Sequence, residues 1–323
     1  MSTNGHSPDA ETTLMVASTG GHLAQLRQLA GRLEGVSDRH LWVTFDNVQS
    51  RSLLEEPEVV YVRRTHSRQI VPTVANMGTV HRLLREENVT SVVSTGSAVA
   101  LSAMVPARGR RIACHYIESA ARSDGPSLTG KLLSAMPGVN LYTQYRSWEG
   151  KRWNYRGSVF DGFRAGASAA GVEPARIVVT LGTGRYGFRR LVERLVDLLP
   201  ADAEVLWQTG STDTSGLTID PTPALPYSEL KEAMANADVV VSHAGVGSAL
   251  CALDAGRMPI LVPRRVAHDE IVDDHQEQVA RELASRGLAL MQEAGTLTEE
   301  DLLSAAGRTV EPHAPPAIKL DAS

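Results

Sequence analysis

VVVSHAGVGSALCALDAGRMPILVPRRVAHDEIVDDHQ, from Val239 to Gln276, holds an apolar run, a glycine turn, a helical pattern, a second apolar run and a polar cluster. Val239, Val240 and Val241 read as a buried strand. His243-Ala-Gly-Val-Gly-Ser248 then turns the chain into a helix through glycines that let the backbone approach a ligand closely. Backbone N–H groups at that helix start, from Gly245, Val246, Gly247 and Ser248, would face an anion. Ile260 to Pro263 reads as the next parallel strand. Asp273, Asp274, His275 and Gln276 lie beyond its carboxyl end, where ligands of open α/β sheets bind, and acids and amides there suit sugar hydroxyls. The turn is not the dinucleotide fingerprint GxGxxG, and a turn of this kind taken alone is more often ordinary packing. With its flanking strands it outlines a site for a phosphorylated ligand.

The same theme runs outward on both sides. Arg176 to Leu181 reads as a strand, Gly182-Thr183-Gly184 as a turn, Phe188 to Leu199 as an amphipathic helix and Val205 to Thr209 as a strand. In the first half, Leu14 to Ser18 predicts a strand, Thr19-Gly20-Gly21-His22 a turn, and Leu23 to Leu33 a helix. Strands are expected at His40–Phe45, Val59–Val62, Ser91–Ser94, Arg111–Ile117 and Val139–Gln144, with helices at Val74–Glu86 and Ser127–Met136. Alternation of this kind gives an α/β fold with parallel sheets. The stretch 158–174 is rich in Gly, Ala and Ser and reads as a hinge-like linker between domains 1–157 and 175–309. From Val310 onward, Pro312, Pro315 and Pro316 exclude a regular helix, and 310–323 is expected to be a loose tail.

A chain of 323 residues with 42% hydrophobic content can bury the cores of two domains. Cys114 and Cys251 both sit in apolar surroundings without metal-ligand spacing, which argues against a disulfide framework or zinc site and fits a cytoplasmic protein. No signal peptide and no apolar run of membrane-spanning length is present, so any membrane contact is expected to be peripheral. Charge is asymmetric: 18 basic against 13 acidic residues through Gly157, a balance of +5, and 14 against 24 beyond it, a balance of −10. Arg63, Arg64, Arg68, Arg108, Arg110 and Arg111 could form a basic surface for anionic lipid or a phosphate-bearing acceptor, or simply a solvated face. Nucleic acid is disfavoured, because aromatic residues are only 5% of the chain and no binding signature accompanies the charge.

Such a chain could hold a nucleotide sugar on one wall of a cleft and an acceptor on the other. Displacing a nucleoside diphosphate from an anomeric carbon needs a base for the acceptor hydroxyl and stabilisation of the leaving pyrophosphate. For the leaving group, the turn at Gly245, Gly247 and Ser248 and the positive end of its helix can act without a metal, joined by His243 and by Gly182 and Thr183. For the proton, His22 follows Gly20 and Gly21 at a helix start and titrates near neutral pH, while Glu118 ends the strand Ile112–Ile117; the two are read as a joint catalytic set. Thr95, Gly96, Ser97 and Arg122 would complete the acceptor side. No cofactor and no metal are expected.

These residues resemble the inverting glycosyltransferases of the GT-B fold, in the family 28 group. STGGHLAQL at Ser18–Leu26, STGSAVA at Ser94–Ala100 and IESAARSDGPSLTGKLL at Ile117–Leu133 look like the acceptor-side subunit of a two-part enzyme that extends a lipid-linked oligosaccharide. VTLGTGRYGFRRLVERL at Val179–Leu195 and SHAGVGSALCALDAG through VDDHQ look like its donor-binding subunit and exopolysaccharide-synthesis relatives. The resemblance implies two Rossmann-like domains with parallel sheets facing across a cleft. It also implies a UDP-sugar donor, N-acetylglucosamine or a related hexose, and a lipid-linked or small polyhydroxylated hydroxyl acceptor. It places the donor phosphates at His243, Gly245, Gly247 and Ser248 and the donor sugar at Asp274, His275 and Gln276. Two departures stand out: Cys251 occupies the position where the family has a glutamate for the ribose hydroxyls, and the N-terminal membrane anchor usual for the acceptor subunit is not expected here. A nucleotide-sugar epimerase and a non-catalytic donor-binding subunit of a polysaccharide assembly complex are the alternatives.

Overall fold

In the first half of the chain, β1 (Thr12–Ala17) is buried at every position. A strand covered on both sheet faces is selected as a continuous apolar run and not as an alternating one. It is followed by α1 (Gly21–Ala30), β2 (Leu33–Glu34), β3 (His40–Phe45), α2 (Val48–Leu53), β4 (Glu58–Val62), α3 (Ile70–Glu86) and β5 (Val89–Gly96). Then come α4 (Val99–Gly109), β6 (Ala113–Ile117), α5 (Leu128–Ser134), β7 (Val139–Thr143) and β8 (Asn154–Tyr155). This computed structural model describes residues 10–55, 57–65, 70–169, 171–200 and 202–321. The chain divides into two units, residues 1–159 with 316–323, and residues 160–315.

The sheet of the first unit has the order β4-β3-β1-β5-β6-β7-β8, every neighbour parallel. Its core includes Leu14, Val43, Val92, Met104 and Tyr116. The strand order reverses between β1 and β5, so the connections after these two strands part and leave a crevice at their carboxyl ends.

The second unit comprises β9 (Phe163–Ser168), β10 (Arg176–Thr180), α6 (Arg189–Leu198), β11 (Glu204–Gln208), β12 (Pro221–Thr222), α7 (Tyr227–Asn236) and β13 (Val239–His243). It continues with α8 (Val246–Asp254), β14 (Ile260–Val262), α9 (His275–Ser285), β15 (Leu290–Met291), α10 (Glu299–Ala305) and β16 (Arg308–Pro312). Its parallel sheet runs β12-β11-β10-β13-β14-β15 and reverses between β10 and β13. Both units are therefore doubly wound α/β units with parallel sheets, the fold class the sequence implies.

Three expectations are corrected. The stretch 158–174 is not a free linker: a 3-10 turn at Val159–Gly162 leads into β9, which pairs antiparallel with β16. Its small residues serve close approach, since a Cβ on Gly166 would lie 2.6 Å from Thr309 Oγ1. Nor is the C-terminal stretch loose. After Pro315 and Pro316, β17 (Ile318–Lys319) pairs in parallel with β2 of the first unit. Asp321 is then held by Arg156 at 2.7 Å and Asn154 at 3.3 Å, and its N–H donates to Tyr142 Oη at 2.8 Å. Proline forbids helix but permits extended chain.

The third correction concerns the arginines. Arg63 and Arg64 follow β4 at the carboxyl edge of the sheet, whereas Arg108, Arg110 and Arg111 precede β6 at the opposite edge, so they form no single surface. Arg108 instead donates to the Pro137 carbonyl at 3.3 Å. Arg68 lies outside the described residues.

Candidate functional site

At the β1/β5 reversal of the first unit, Gly20 takes φ +80° and admits the chain to α1, whose first turn has no side-chain cap. His22 stands in that turn, half-buried. Its Nδ1 lies 2.7 Å from the Thr95 carbonyl, and Thr95 Oγ1 donates to the His22 carbonyl at 2.7 Å. A carbonyl can only accept, so Nδ1 carries the proton and the basic electron pair of the neutral ring is on Nε2. Gly96, at φ +108°, permits this contact: a Cβ there would stand 2.9 Å from His22 Cε1 and 3.3 Å from Tyr116 Oη. Gly21 and Ser97 lie beside these residues, so the turns after β1 and β5 meet.

Glu118 is placed differently from His22. It is 1% exposed, and its carboxylate accepts from the Ser119 N–H at 3.0 Å, the Ser127 N–H at 2.9 Å, Ser127 Oγ at 3.0 Å and Tyr116 Oη at 3.2 Å. Burial raises its pKa, and these four donors offset part of that rise. Glu118 thus ties the loop after β6 to the start of α5, where Gly130 leaves room for its Oε2. Gln25 and Gln144, which sequence reasoning missed, complete the brace. Gln25 donates to Ser119 Oγ at 3.0 Å and accepts from the Ala120 N–H at 2.7 Å, and Gln144 donates to the Glu118 carbonyl at 3.0 Å. Arg122 sits half-buried in the same loop, its carbonyl accepting from Trp148 Nε1 at 3.1 Å.

In the second unit the β10/β13 reversal is built around His243, whose Nδ1 lies 3.4 Å from the Thr180 carbonyl. Two glycine turns close on its ring. A Cβ on Gly182, at φ +68°, would lie 2.5 Å from His243 Cε1, and one on Gly245 would overlap Nε2. Burial, helped by the Arg264 charge, lowers the His243 pKa to about 3, so the ring is neutral and acts as the spacer that sets the two turns apart. Gln208 fixes the first turn, donating to the Gly182 and Pro223 carbonyls at 3.0 Å each. Thr183 is exposed at its tip.

Gly245 starts α8 without a side-chain cap, leaving the first N–H groups and the positive helix end at the partly exposed Gly247 and Ser248. Val246 turns inward, 6% exposed. Cys251 packs in the core with Leu230 and Met234 and offers no group to a ligand; burial pushes its thiol up to about 12.

Beyond β14 the polar cluster divides its roles. Asp274 is exposed at the start of α9, and His275 is paired with Asp273. Gln276 is 4% exposed and accepts from the Arg264 N–H at 3.0 Å. Arg264, also missed from sequence, is buried beneath the turn after β10. Among the described residues, no group of three or more His, Cys, Asp or Glu could hold a metal ion.

Uncapped helix starts at glycine crossovers are common to many doubly wound folds, so the comparisons with known proteins decide the family. Residues 176–317 match the glycosyltransferase family 28 C-terminal domain. Over 300 residues, covering 86% of this chain and 81% of the relative, the sequence is 27% identical to a protein of Prochlorococcus marinus (strain MIT 9303). That protein is named UDP-N-acetylglucosamine--N-acetylmuramyl-(pentapeptide) pyrophosphoryl-undecaprenol N-acetylglucosamine transferase.

Residues 176–317 are a glycosyltransferase family 28 C-terminal domain, and the chain is a glycosyltransferase. Its GT-B fold is shared with MurG of Acinetobacter baumannii, at TM-score 0.54 and 20% identity over 91% of this transferase and 89% of that chain. A UDP-GlcNAc 2-epimerase of Methanocaldococcus jannaschii superposes with TM-score 0.55 at 14% identity, covering 91% of each chain. The fold alone therefore does not separate transferase from epimerase; the family 28 domain does.

Proposed function

We propose that this glycosyltransferase moves a sugar, N-acetylglucosamine or a related hexose, from a UDP-sugar to a hydroxyl of a lipid-linked acceptor, with inversion and without a metal. The observation that carries the reading is the pair of glycine turns held open by His243 beneath the uncapped start of α8, within a family 28 domain. Such a start suits the diphosphate. The exposed Asp274 and the half-buried His275 are offered to the sugar, and the name of the Prochlorococcus relative supports both the UDP-sugar and the lipid-linked acceptor.

In this reading His22 Nε2 takes the acceptor proton as the hydroxyl oxygen bonds to the anomeric carbon. The bond from that carbon to the phosphate oxygen breaks, and UDP leaves with the electron pair. Glu118 is a positioning residue that shapes the loop after β6. Its engaged carboxylate is unsuited to a covalent glycosyl intermediate, which supports single-step inversion.

The test is a calorimetric titration with UDP, GDP, TDP and their sugar conjugates, without added metal, on the wild type and Gly245→Trp. Micromolar binding of uridine nucleotides alone, lost in the variant, is the expected result. Equal binding of all three diphosphates, or none, would remove the donor assignment.

A further inference from the structure

Arg264 is an arginine where the fold gives no reason to bury one. It follows β14, yet its side chain reaches past the end of β13 to the loop after β10, where Nη2 donates to the Leu181 carbonyl at 2.8 Å. Its guanidinium lies 5.4 Å from the centre of the Phe188 ring, and its backbone N–H is fixed by Gln276. The residue is 5% exposed, and its Nε is buried without a hydrogen-bond partner.

No carboxylate among the described residues hydrogen-bonds this guanidinium. The nearest charged candidate, Glu270, is occupied, taking Arg190 at 3.1 and 3.0 Å and the Arg265 N–H at 3.0 Å. Arg265 has its own acids, Glu277 and Glu293. Arg264 is thus the excess cation of the cluster, and burial lowers its pKa to about 10. A buried charge left uncompensated costs stability and persists where something else compensates it. The guanidinium contacts place it at the β10/β13 reversal: Leu181 precedes Gly182, and Gly182 closes on His243. The anion site outlined by α8 starts at that same reversal.

We propose that Arg264 is the countercharge of the donor's diphosphate, a fixed cation under the glycine turns that neutralises the leaving nucleoside diphosphate. The inference rests on the donor-site reading above and assigns it a residue. Its guanidinium is already ordered by Leu181 and Phe188, and its backbone by Gln276, so little side-chain entropy is lost when the phosphate arrives.

The test compares UDP with uridine, which lacks the phosphates, on the wild type, Arg264→Met and Arg264→Gln. Glutamine keeps a polar amide where the Arg264 Nε stands and removes the charge, so it serves even if the methionine variant fails to fold. The neutral variants should lose about 10- to 100-fold in UDP affinity, the range for a charged hydrogen bond, and keep their uridine affinity. Without ligand they should melt at or above the wild-type temperature, because an unpaired buried cation has gone. A UDP-to-uridine preference unchanged by both variants, or one that melts well below the wild type while keeping that preference, would make Arg264 a structural residue and overturn the proposal. If the wild type binds no UDP, the donor site itself falls, a result distinguishable from loss of discrimination in the variants alone.

Discussion

His22 shows how much one backbone carbonyl can decide. Because Thr95 accepts from Nδ1, the ring presents a basic Nε2, and His22→Ala should lower turnover by about 10²- to 10⁴-fold while UDP binding stays unchanged. Glycosyl transfer assays beside UDP titrations check this. Two other histidines set an acid limit on stability. Burial brings His115 to about 4 and His243 to about 3, below their unfolded value of 6.5. The unfolded chain then binds more protons between these values, so their contribution is complete above pH 6.5 and is lost as pH falls toward 4. The slope is at most about 1.4 kcal/mol per pH unit for each histidine. Urea midpoints at pH 7.5, 6 and 5 should fall in the wild type and fall less in His115→Gln. At this scale the glycine turns beside His22 and His243 were legible, because tight turns at strand ends demand glycine. Arg264 was not, since an arginine after a strand looks like surface until Leu181 and Phe188 fold over it. The burial of Glu118 likewise depends on Ser127 and Gly130, beyond any local pattern.

Among the elements, β3 and β13 were legible because buried parallel strands carry apolar runs, here Leu41–Val43 and Val239–Val241. β9 was misread for a physical reason: its Gly and Ala residues look like a linker until β16 is laid against them and Gly166 meets Thr309. α3 carries a consequence for the acceptor. Val71 and Val74 are 80% and 55% exposed on it, close in sequence to Arg63 and Arg64 at the carboxyl edge of the first sheet. Apolar side chains beside cations suit a lipid surface. Co-sedimentation with vesicles containing anionic lipid at low salt should detect the wild type and drop for Val71→Asp with Val74→Asp; unchanged sedimentation would leave a lipid-linked acceptor without a docking face here.

For the whole molecule, the chain crosses between its units twice, at Val159/Phe160 and at Pro315/Pro316. The second crossing brings Ile318 and Leu320, 3% and 7% exposed, back to the first unit. Each contributes roughly 1.5–3 kcal/mol of apolar burial. Deleting 316–323 should therefore lower the melting transition of the first unit and spare the UDP-induced shift of the second, as followed by calorimetry. The two-unit plan was legible from the repeated strand–glycine–helix theme. The return was not, because two prolines announce only that helix has ended.

That returning strand also sets a timetable. A ribosome completes the sheet of the first unit early, yet residues 160–315 must all emerge before β17 can reach β2. At about 5–20 residues per second, this is a delay on the order of ten seconds. During it, Leu33 and its neighbours wait uncovered, and a nascent-chain chaperone has its opening.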